Sequence, residues 1–159
     1  MKVKDIMKKK GYSPLYTIEA GTKAIDAVAI MDEHKIGALI VVDEDDNVAG
    51  LVSERDFLYK VYKNAGSEQV RELKVYQLMT KVGNLYVAQI DDKPLDVMNL
   101  MLKKKIRHVP VMENGKIVGM VSIGDVLNYL MEQYEEEAFR LREHIQNPMG
   151  IHVYGGDEK

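Results

Sequence analysis

Gly50-Leu51-Val52-Ser53-Glu54-Arg55-Asp56 and Gly119-Met120-Val121-Ser122-Ile123-Gly124-Asp125 share the pattern Gly-x-Val-Ser-x-x-Asp. Each copy follows a short apolar run and precedes an amphipathic one, and the two lie nearly half a chain length apart. One polar constellation, built twice at matching points of two similar halves, predicts paired sites related by internal pseudo-two-fold symmetry.

Working outward, Asp5-Ile6-Met7 matches Gln77-Leu78-Met79, and Thr22 to His34 matches Asp92 to Lys104. In the first of these longer segments Ile25, Val28, Ala29 and Met31 recur at helical spacing; in the second Leu95, Met98, Met101 and Leu102 do so. Thr22 and Asp92 read as N-caps, and Pro94 suits a first helical turn. Strand-like runs follow at Ile36–Val42 and Ile106–Met112, each ending in a polar turn. Asn114-Gly115 is a two-residue hairpin signal. The returning strands, near 48–52 and 117–121, run into the shared motif, and second helices begin around Glu54 and Ile123. The lead-ins 13–18 and 82–90 each have room for a short strand, so each half reads β-α-β-β-α.

A hairpin with two helices on one face leaves apolar surface uncovered in so small a unit, and two copies packed sheet to sheet bury it. The expected fold class is therefore α+β: two repeats packed sheet to sheet with pseudo-two-fold symmetry, plus a C-terminal helix. The expected boundaries are 1–65 for the first repeat, 66–74 for a connector and 75–131 for the second repeat. A terminal helix follows at 132–147 and a flexible tail at 148–159. Leu130, Tyr134, Ala138, Leu141 and Ile145 form a stripe at 3–4 spacing, suited to docking on the module or on a partner. The sequence Asn147-Pro148-Met149-Gly150 ends that helix.

Composition narrows the function classes. At 159 residues and 46% hydrophobic content the chain can bury a core. It has no cysteine, which removes disulfides and thiolate chemistry. No apolar stretch reaches membrane-spanning length, so no membrane partner is expected. Met1-Lys2-Val3-Lys4-Asp5 lacks the apolar stretch of a signal peptide, which makes the cytoplasm the expected compartment. A net charge of −3 counts against nucleic-acid binding. His34, His144 and His152 are far apart and unaccompanied by metal-ligand spacing, so no metal is expected. No nucleophile–base–orienter set and no glycine-rich phosphate loop is present, so the chain reads as a non-enzyme.

With its Asp/Gln-x-Met lead-ins, Ile106-Arg107-His108-Val109-Pro110-Val111 and both Gly-x-Val-Ser-x-x-Asp segments, the chain resembles the tandem cystathionine-β-synthase (CBS) domain pair, or Bateman module, from about Val3 to Leu130. Within that family it is similar to the stand-alone CBS-pair proteins, which lack an attached enzyme domain. The resemblance implies a regulatory or sensor module that takes an adenosine-containing ligand in clefts between the repeats. AMP, ADP or ATP is expected, with S-adenosylmethionine or NAD(H) as alternatives. It also implies a homodimer and a regulated partner protein. Two other readings stand beside it: a structural or interaction module with vestigial sites, and a nucleic-acid-binding CBS protein.

The expected ligand-binding residues centre on the motif. Ionised Asp56 and Asp125 accept hydrogen bonds from ribose hydroxyls, while Ser53, Ser122 and the N–H groups of the following helical turn meet a phosphate. Gly50 and Gly119 leave room for close backbone approach. The resemblance adds the strand and lead-in residues Thr17, Ile18, Gly37, Ala38, Ala88, Val109 and Pro110 as further ligand-binding positions. Ser-x-x-Asp is equally a capping-box variant that stabilises its helix without any ligand. Arg107 and His108 stand where the first half has Gly37 and Ala38, and Arg55 stands where the second has Gly124. Each of these three basic residues suits either a phosphate contact or, more plainly, solvent or packing. These departures predict two unequal clefts. Lys8-Lys9-Lys10 and Lys103-Lys104-Lys105 read most simply as solvated surface.

Overall fold

The computed structural model describes residues 1–11, 14–63 and 68–146. The elements run α1 (Val3–Lys9), β1 (Thr17–Glu19), α2 (Ala24–His34), β2 (Ala38–Val42), β3 (Val48–Ser53) and α3 (Glu54–Lys63). After two 3₁₀ turns at Glu68–Glu72 and Val75–Gln77 come β4 (Thr80–Lys81), β5 (Ala88–Gln89), α4 (Pro94–Lys104), β6 (His108–Glu113), β7 (Lys116–Ser122) and α5 (Ile123–Gln146). The order β-α-β-β-α occurs twice, as the sequence predicts. One sheet has the strand order β1-β2-β3-β4 and the other β5-β6-β7. In each, the short first strand pairs parallel to the middle strand, and the middle strand pairs antiparallel to the next.

The registers match between repeats. Ala38 lies opposite Ser53 and His108 opposite Ser122, and each hairpin carries an irregularity three residues further along. Asn114 and Gly115 both have positive φ, at 50° and 77°, the backbone a tight type I′ hairpin requires. Lys35 and Lys105 close α2 and α4 in the left-handed region, at φ 52° and 55°. This terminates each helix and turns the chain into its middle strand.

Three apolar clusters hold the molecule together. Ile18, Ala27, Met31, Leu39, Val41 and Val52 form the first repeat's core, joined by Val75 and Leu78 from the segment before β4. Met98, Met101, Val109, Val111, Val121 and Val126 form the second, joined by Val3, Ile6 and Met7 from α1. Ala38, Ile40, Val42 and Leu51, with Ile117 and Met120 against them, lie between the sheets. The lead-ins are thus exchanged: α1 docks on the second repeat, and its counterpart near Val75 docks on the first. Backbone bonds repeat the exchange. Val3 N–H donates to Asp92 and Lys4 N–H to Ile90, whereas Val75 N–H donates to Thr22 and Tyr76 N–H to Ala20.

Several local expectations change. The N-caps of α2 and α4 are Lys23 and Lys93, neither with a side-chain cap bond. Asp92 instead closes the turn after β5 by accepting from Gln89 N–H at 2.8 Å, and Thr22 offers its carbonyl to Val75. Pro94 does stand at the start of α4. The buried stripes are Ala24, Ala27 and Met31 on α2 and Val97, Met98 and Met101 on α4, while Ile25, Leu95 and Leu102 face solvent. The terminal helix is continuous with the second repeat's last helix, because good helix formers run unbroken through 130–134. The expected stop at 147–150 and the tail at 148–159 lie outside the described residues, as do positions 66 and 67 of the connector.

Candidate functional site

Both Ser-x-x-Asp pairs sit where a strand hands over to a helix. Ser53 ends β3, and its N–H and hydroxyl each donate to Asp56 Oδ2 at 2.8 Å. Ser122 ends β7; its N–H donates to Asp125 Oδ2 at 2.7 Å, and Asp125 N–H donates to Ser122 Oγ at 3.2 Å. These are capping-box bonds, and in each pair those that reach the carboxylate use Oδ2. Among the described residues neither Asp56 Oδ1 nor Asp125 Oδ1 accepts a hydrogen bond. Among the described residues, capping therefore leaves one acceptor oxygen of each Asp unengaged at the positive end of a helix.

Each Asp faces the opposite repeat. Asp56, with Ser53, Arg55 and Leu51, lines a cleft completed by Thr80 and by Lys105 to His108. Asp125, with Ser122 and Met120, lines a cleft completed by Lys10, by Pro14 to Tyr16, by Lys35 to Ala38 and by His108. The first holds about 120 Å³ and the second about 370 Å³. Only the second reaches the size range of ordinary small-molecule sites, roughly 300–1,000 Å³. An open groove of about 710 Å³ joins them over Gly37, Glu54, Arg107, His108 and Gly124. His108 lines all three spaces. Its ring occupies the space beside Gly37, where an added Cβ would stand 2.8 Å from Cε1.

Several of the charged groups fall into pairs, Lys35 with Asp32 at 2.8 Å among them. Lys10 Nζ donates to Asp125 Oδ2 at 2.8 Å and to the Met120 carbonyl at 3.1 Å. Burial works to raise the Asp125 pKa; the Lys10 ammonium and the Ser122 donors outweigh it and hold the carboxyl below its ordinary value. Burial pushes the His108 pKa down, with Glu54 and Asp125 pulling it up and Arg107 and Lys10 adding to the depression. The imidazole is accordingly neutral at neutral pH. In the Asp56 cleft, Arg55 Nη1 donates to the Lys105 carbonyl at 2.9 Å, a contact that crosses between repeats. Arg107 lies 3.8 Å from Glu54 in a largely exposed ion pair, which contributes little to stability.

The structure therefore gathers Ser53, Arg55, Asp56, Arg107 and His108 around one cleft, and Gly37, Ala38, Ser122, Asp125 and His108 around the other. Ile18, Ala88 and Val109 are buried in the repeat cores, because strand alternation turns them away from the clefts. Thr17 is exposed on β1 beyond the cleft wall, and Pro110 is buried on β6 one alternation past His108. Gly50 and Gly119 serve packing. A Cβ on Gly50 would strike the Thr80 carbonyl oxygen and approach Met79 Sδ at 3.1 Å, and one on Gly119 would strike Met7 Cε. The space expected for a ligand is filled by the exchanged lead-ins.

Sequence reasoning missed Lys10, Leu15, Tyr16, Lys35, Thr80 and Lys105 as cleft residues. Lys10 is ion-paired and about 30% exposed, which corrects its reading as solvated surface. Tyr16 stacks on His34 with ring centroids 4.4 Å apart. Among the described residues no group of three or more His, Cys, Asp or Glu side chains could hold a metal ion. No helix among them is long and apolar enough to cross a membrane.

Comparison with known proteins agrees with this architecture. The family model described as the CBS domain matches twice, at residues 3–63 and 71–132. The chain is 37% identical over 150 residues to the mitochondrial CBS domain-containing protein CBSX3 of Arabidopsis thaliana, covering 91% of this chain and 71% of that protein. Among solved structures it is similar to the CBS-domain protein ATU1752 from Agrobacterium tumefaciens, at 34% identity and a TM-score of 0.73, covering 80% of this chain and 91% of that one. It is also similar to the CBS domain pair of MJ0100, solved with 5′-methylthioadenosine and S-adenosyl-L-methionine, at 25% identity and a TM-score of 0.68, covering 84% and 98%. A fourth similarity is to CBSX2 in complex with AMP, at 25% identity and a TM-score of 0.65, covering 84% and 98%. Two family matches, two exchanged repeats and two facing clefts lead to one assignment: this chain belongs to the CBS-domain family, as a tandem CBS pair.

Proposed function

We infer that the protein is a non-catalytic adenine-nucleotide sensor of the cytoplasm, with its principal site in the Asp125 cleft. The observation that carries this reading is that, among the described residues, Oδ1 of Asp125 accepts no hydrogen bond. It stands at the N-terminus of α5, in a cleft of about 370 Å³ bounded by both repeats. Ribose hydroxyls would donate to Oδ1 while Lys10 keeps Oδ2. The N–H groups of the first turn of α5 would meet a phosphate, which favours AMP, ADP or ATP over the cationic S-adenosylmethionine. The complexes of similar proteins with AMP and with S-adenosylmethionine support an adenosine-containing ligand. Because the cleft walls come from both repeats, bound nucleotide would favour one arrangement of the repeats, and a partner protein would read that arrangement.

Thermal melting with AMP, ADP, ATP, S-adenosylmethionine and NADH tests this. A ligand at a hundred times its dissociation constant stabilises by about 2.7 kcal/mol, a shift of several degrees for a chain of this size. Each shift is referenced to the same variant without ligand, since Asp125→Ala and Asp56→Ala also remove a capping carboxylate. The expected result is a shift with adenine nucleotides that Asp125→Ala abolishes and Asp56→Ala reduces less. Absence of a shift with every adenosyl compound at millimolar concentration overturns it. That outcome favours a second reading, an interaction module with vestigial clefts, which the ready-made Lys10–Asp125 pair and the small Asp56 cleft support.

A further inference from the structure

The two lead-ins are exchanged alike, yet they meet their clefts differently. Helix α1 ends at Lys10, whose N–H donates to the Ile6 carbonyl at 3.0 Å, and Gly11, at φ 69°, stops the helix there. Lys2 and Lys4 pair with Asp91, and Lys9 with Glu132, at the surface. Lys10 instead turns inward, to Asp125 Oδ2 at 2.8 Å and to the Met120 carbonyl at 3.1 Å, groups 115 and 110 residues further along the chain. With Met7 matched to Met79, the counterpart of Lys10 in the second lead-in is Val82, which is exposed and carries no charge. Helix α1 also does not close fully on α5. A pocket of about 170 Å³ lies between Ile6 on one and Asn128 and Tyr129 on the other. The Lys10–Asp125 pair walls both this pocket and the Asp125 cleft.

We propose that Lys10 is a latch that ties the docking of α1 on the second repeat to occupation of the Asp125 cleft, so that docking and ligand binding strengthen each other. Lys10 holds Oδ2 of the carboxylate whose Oδ1 is assigned to the ribose, so latch and ligand occupy different oxygens of one side chain. When α1 lifts away, Val3, Ile6 and Met7 leave the second core and Asp125 loses its cation in the same step. A partly buried carboxylate without its cation is costly, so the pair favours the docked state. An anionic ligand in the cleft gives the Lys10 ammonium a second partner when α1 is docked and none when it is lifted, which is the differential affinity that coupling requires. A seven-residue helix held by three buried side chains is the size of unit that opens without the rest of the fold. Reciprocity fixes the converse: a partner that captures α1 lowers the nucleotide affinity of the cleft by the same factor. The ligand half of this proposal rests on the nucleotide reading of the cleft; the latch itself does not.

Amide hydrogen exchange on the full chain, resolved by NMR, tests the proposal. The Val3 and Lys4 amides, which donate to Asp92 and Ile90, report the docking of α1; the Val75 and Tyr76 amides, which donate to Thr22 and Ala20, are the matching control in the other lead-in. Without ligand, Lys10→Met is expected to speed exchange at Val3 and Lys4 about threefold relative to the control pair. Asp125→Asn is expected to do the same, and the double variant to add nothing further. AMP, ADP or ATP at millimolar concentration is expected to slow Val3 and Lys4 relative to the control pair in the wild type and not in Lys10→Met. Unchanged exchange in Lys10→Met, an effect shared equally by Val75 and Tyr76, or additive effects of the two substitutions overturns the latch. A melting shift with a nucleotide but no selective slowing of Val3 and Lys4 overturns the coupling. No melting shift with any adenosyl compound overturns the nucleotide reading alone, since the ligand-free comparison decides the latch by itself.

Discussion

His108 and Gly37 are complementary across the two repeats: the imidazole at the start of β6 fills the space that any side chain at residue 37 would take, 2.8 Å from an added Cβ to Cε1. The same ring lines both clefts and the groove between them. Gly37→Ala should therefore displace the ring and cost about 1–3 kcal/mol by overpacking. Adding His108→Ala should recover part of that loss. Urea unfolding of the two single variants and the double variant checks this, and additive losses would show the contact to be inconsequential.

The two motif glycines are expected to differ. At Gly50 the obstacle is the backbone carbonyl of Thr80, which cannot swing aside; at Gly119 it is the terminal methyl of Met7, which can. Gly50→Ala should lower stability by about 1–3 kcal/mol, or several degrees in Tm, and Gly119→Ala by less. Calorimetry of both variants decides.

Lys10 sets the acid limit of the Asp125 cleft. Burial opposes ionisation of Asp125, but the Lys10 ammonium and the Ser122 donors leave its folded pKa below the ordinary value. A depressed folded pKa gives stability that is present above about pH 3.9 and lost as pH falls through the folded value. Lys10→Met removes the chief opposing group, so the folded pKa rises towards the unfolded value and the acid loss of stability due to Asp125 should become smaller. Denaturant midpoints measured from neutral pH downward should fall less steeply below about pH 3.9 in Lys10→Met than in the wild type, and Asp125→Asn should lack this contribution.

His108 titrates with the same sign in a higher window. Its pKa is held below about 6.5 by burial, despite Glu54 and Asp125. As pH falls below about 6.5, the unfolded chain takes up the proton first, so stability should decline until the folded value is passed. A His108→Phe variant should lack that slope, and the ring's Cε1 proton resonance should report a folded midpoint below 6.5. An anionic ligand beside the ring should raise that midpoint.

The hairpins, the repeat order and the helix starts at Glu54 and Ile123 were legible because each is written in neighbouring residues: Asn114-Gly115 for a turn, Ser-x-x-Asp for a helix beginning. The Ser–Asp pairing within each motif was legible for the same reason. Lys10 was not, because its partner lies 115 residues away and a run of three lysines carries no mark of which one turns inward. Ile18, Ala88 and Val109 could not be separated from cleft residues without knowing the strand's exact register, since one residue's shift exchanges faces. Thr22 and Asp92 have the chemistry of caps, but backbone bonds to the exchanged lead-ins and to the turn after β5 take precedence. Gly50 and Gly119 show small size in the sequence; what they make room for comes from the other half.

The exchanged lead-ins also bear on how the chain is made. Lys2 lies within hydrogen-bond distance of Asp91, 89 residues further along, and α1 reaches its core only when the second repeat exists. During synthesis the first repeat would lack Val75 and Leu78 until the connector has emerged, while Val3, Ile6 and Met7 would wait, apolar and uncovered, for a partner not yet translated. Closing so long a loop is slow relative to local hairpin formation. The nascent first half is therefore the stage at which this protein is most exposed to aggregation and to chaperone capture.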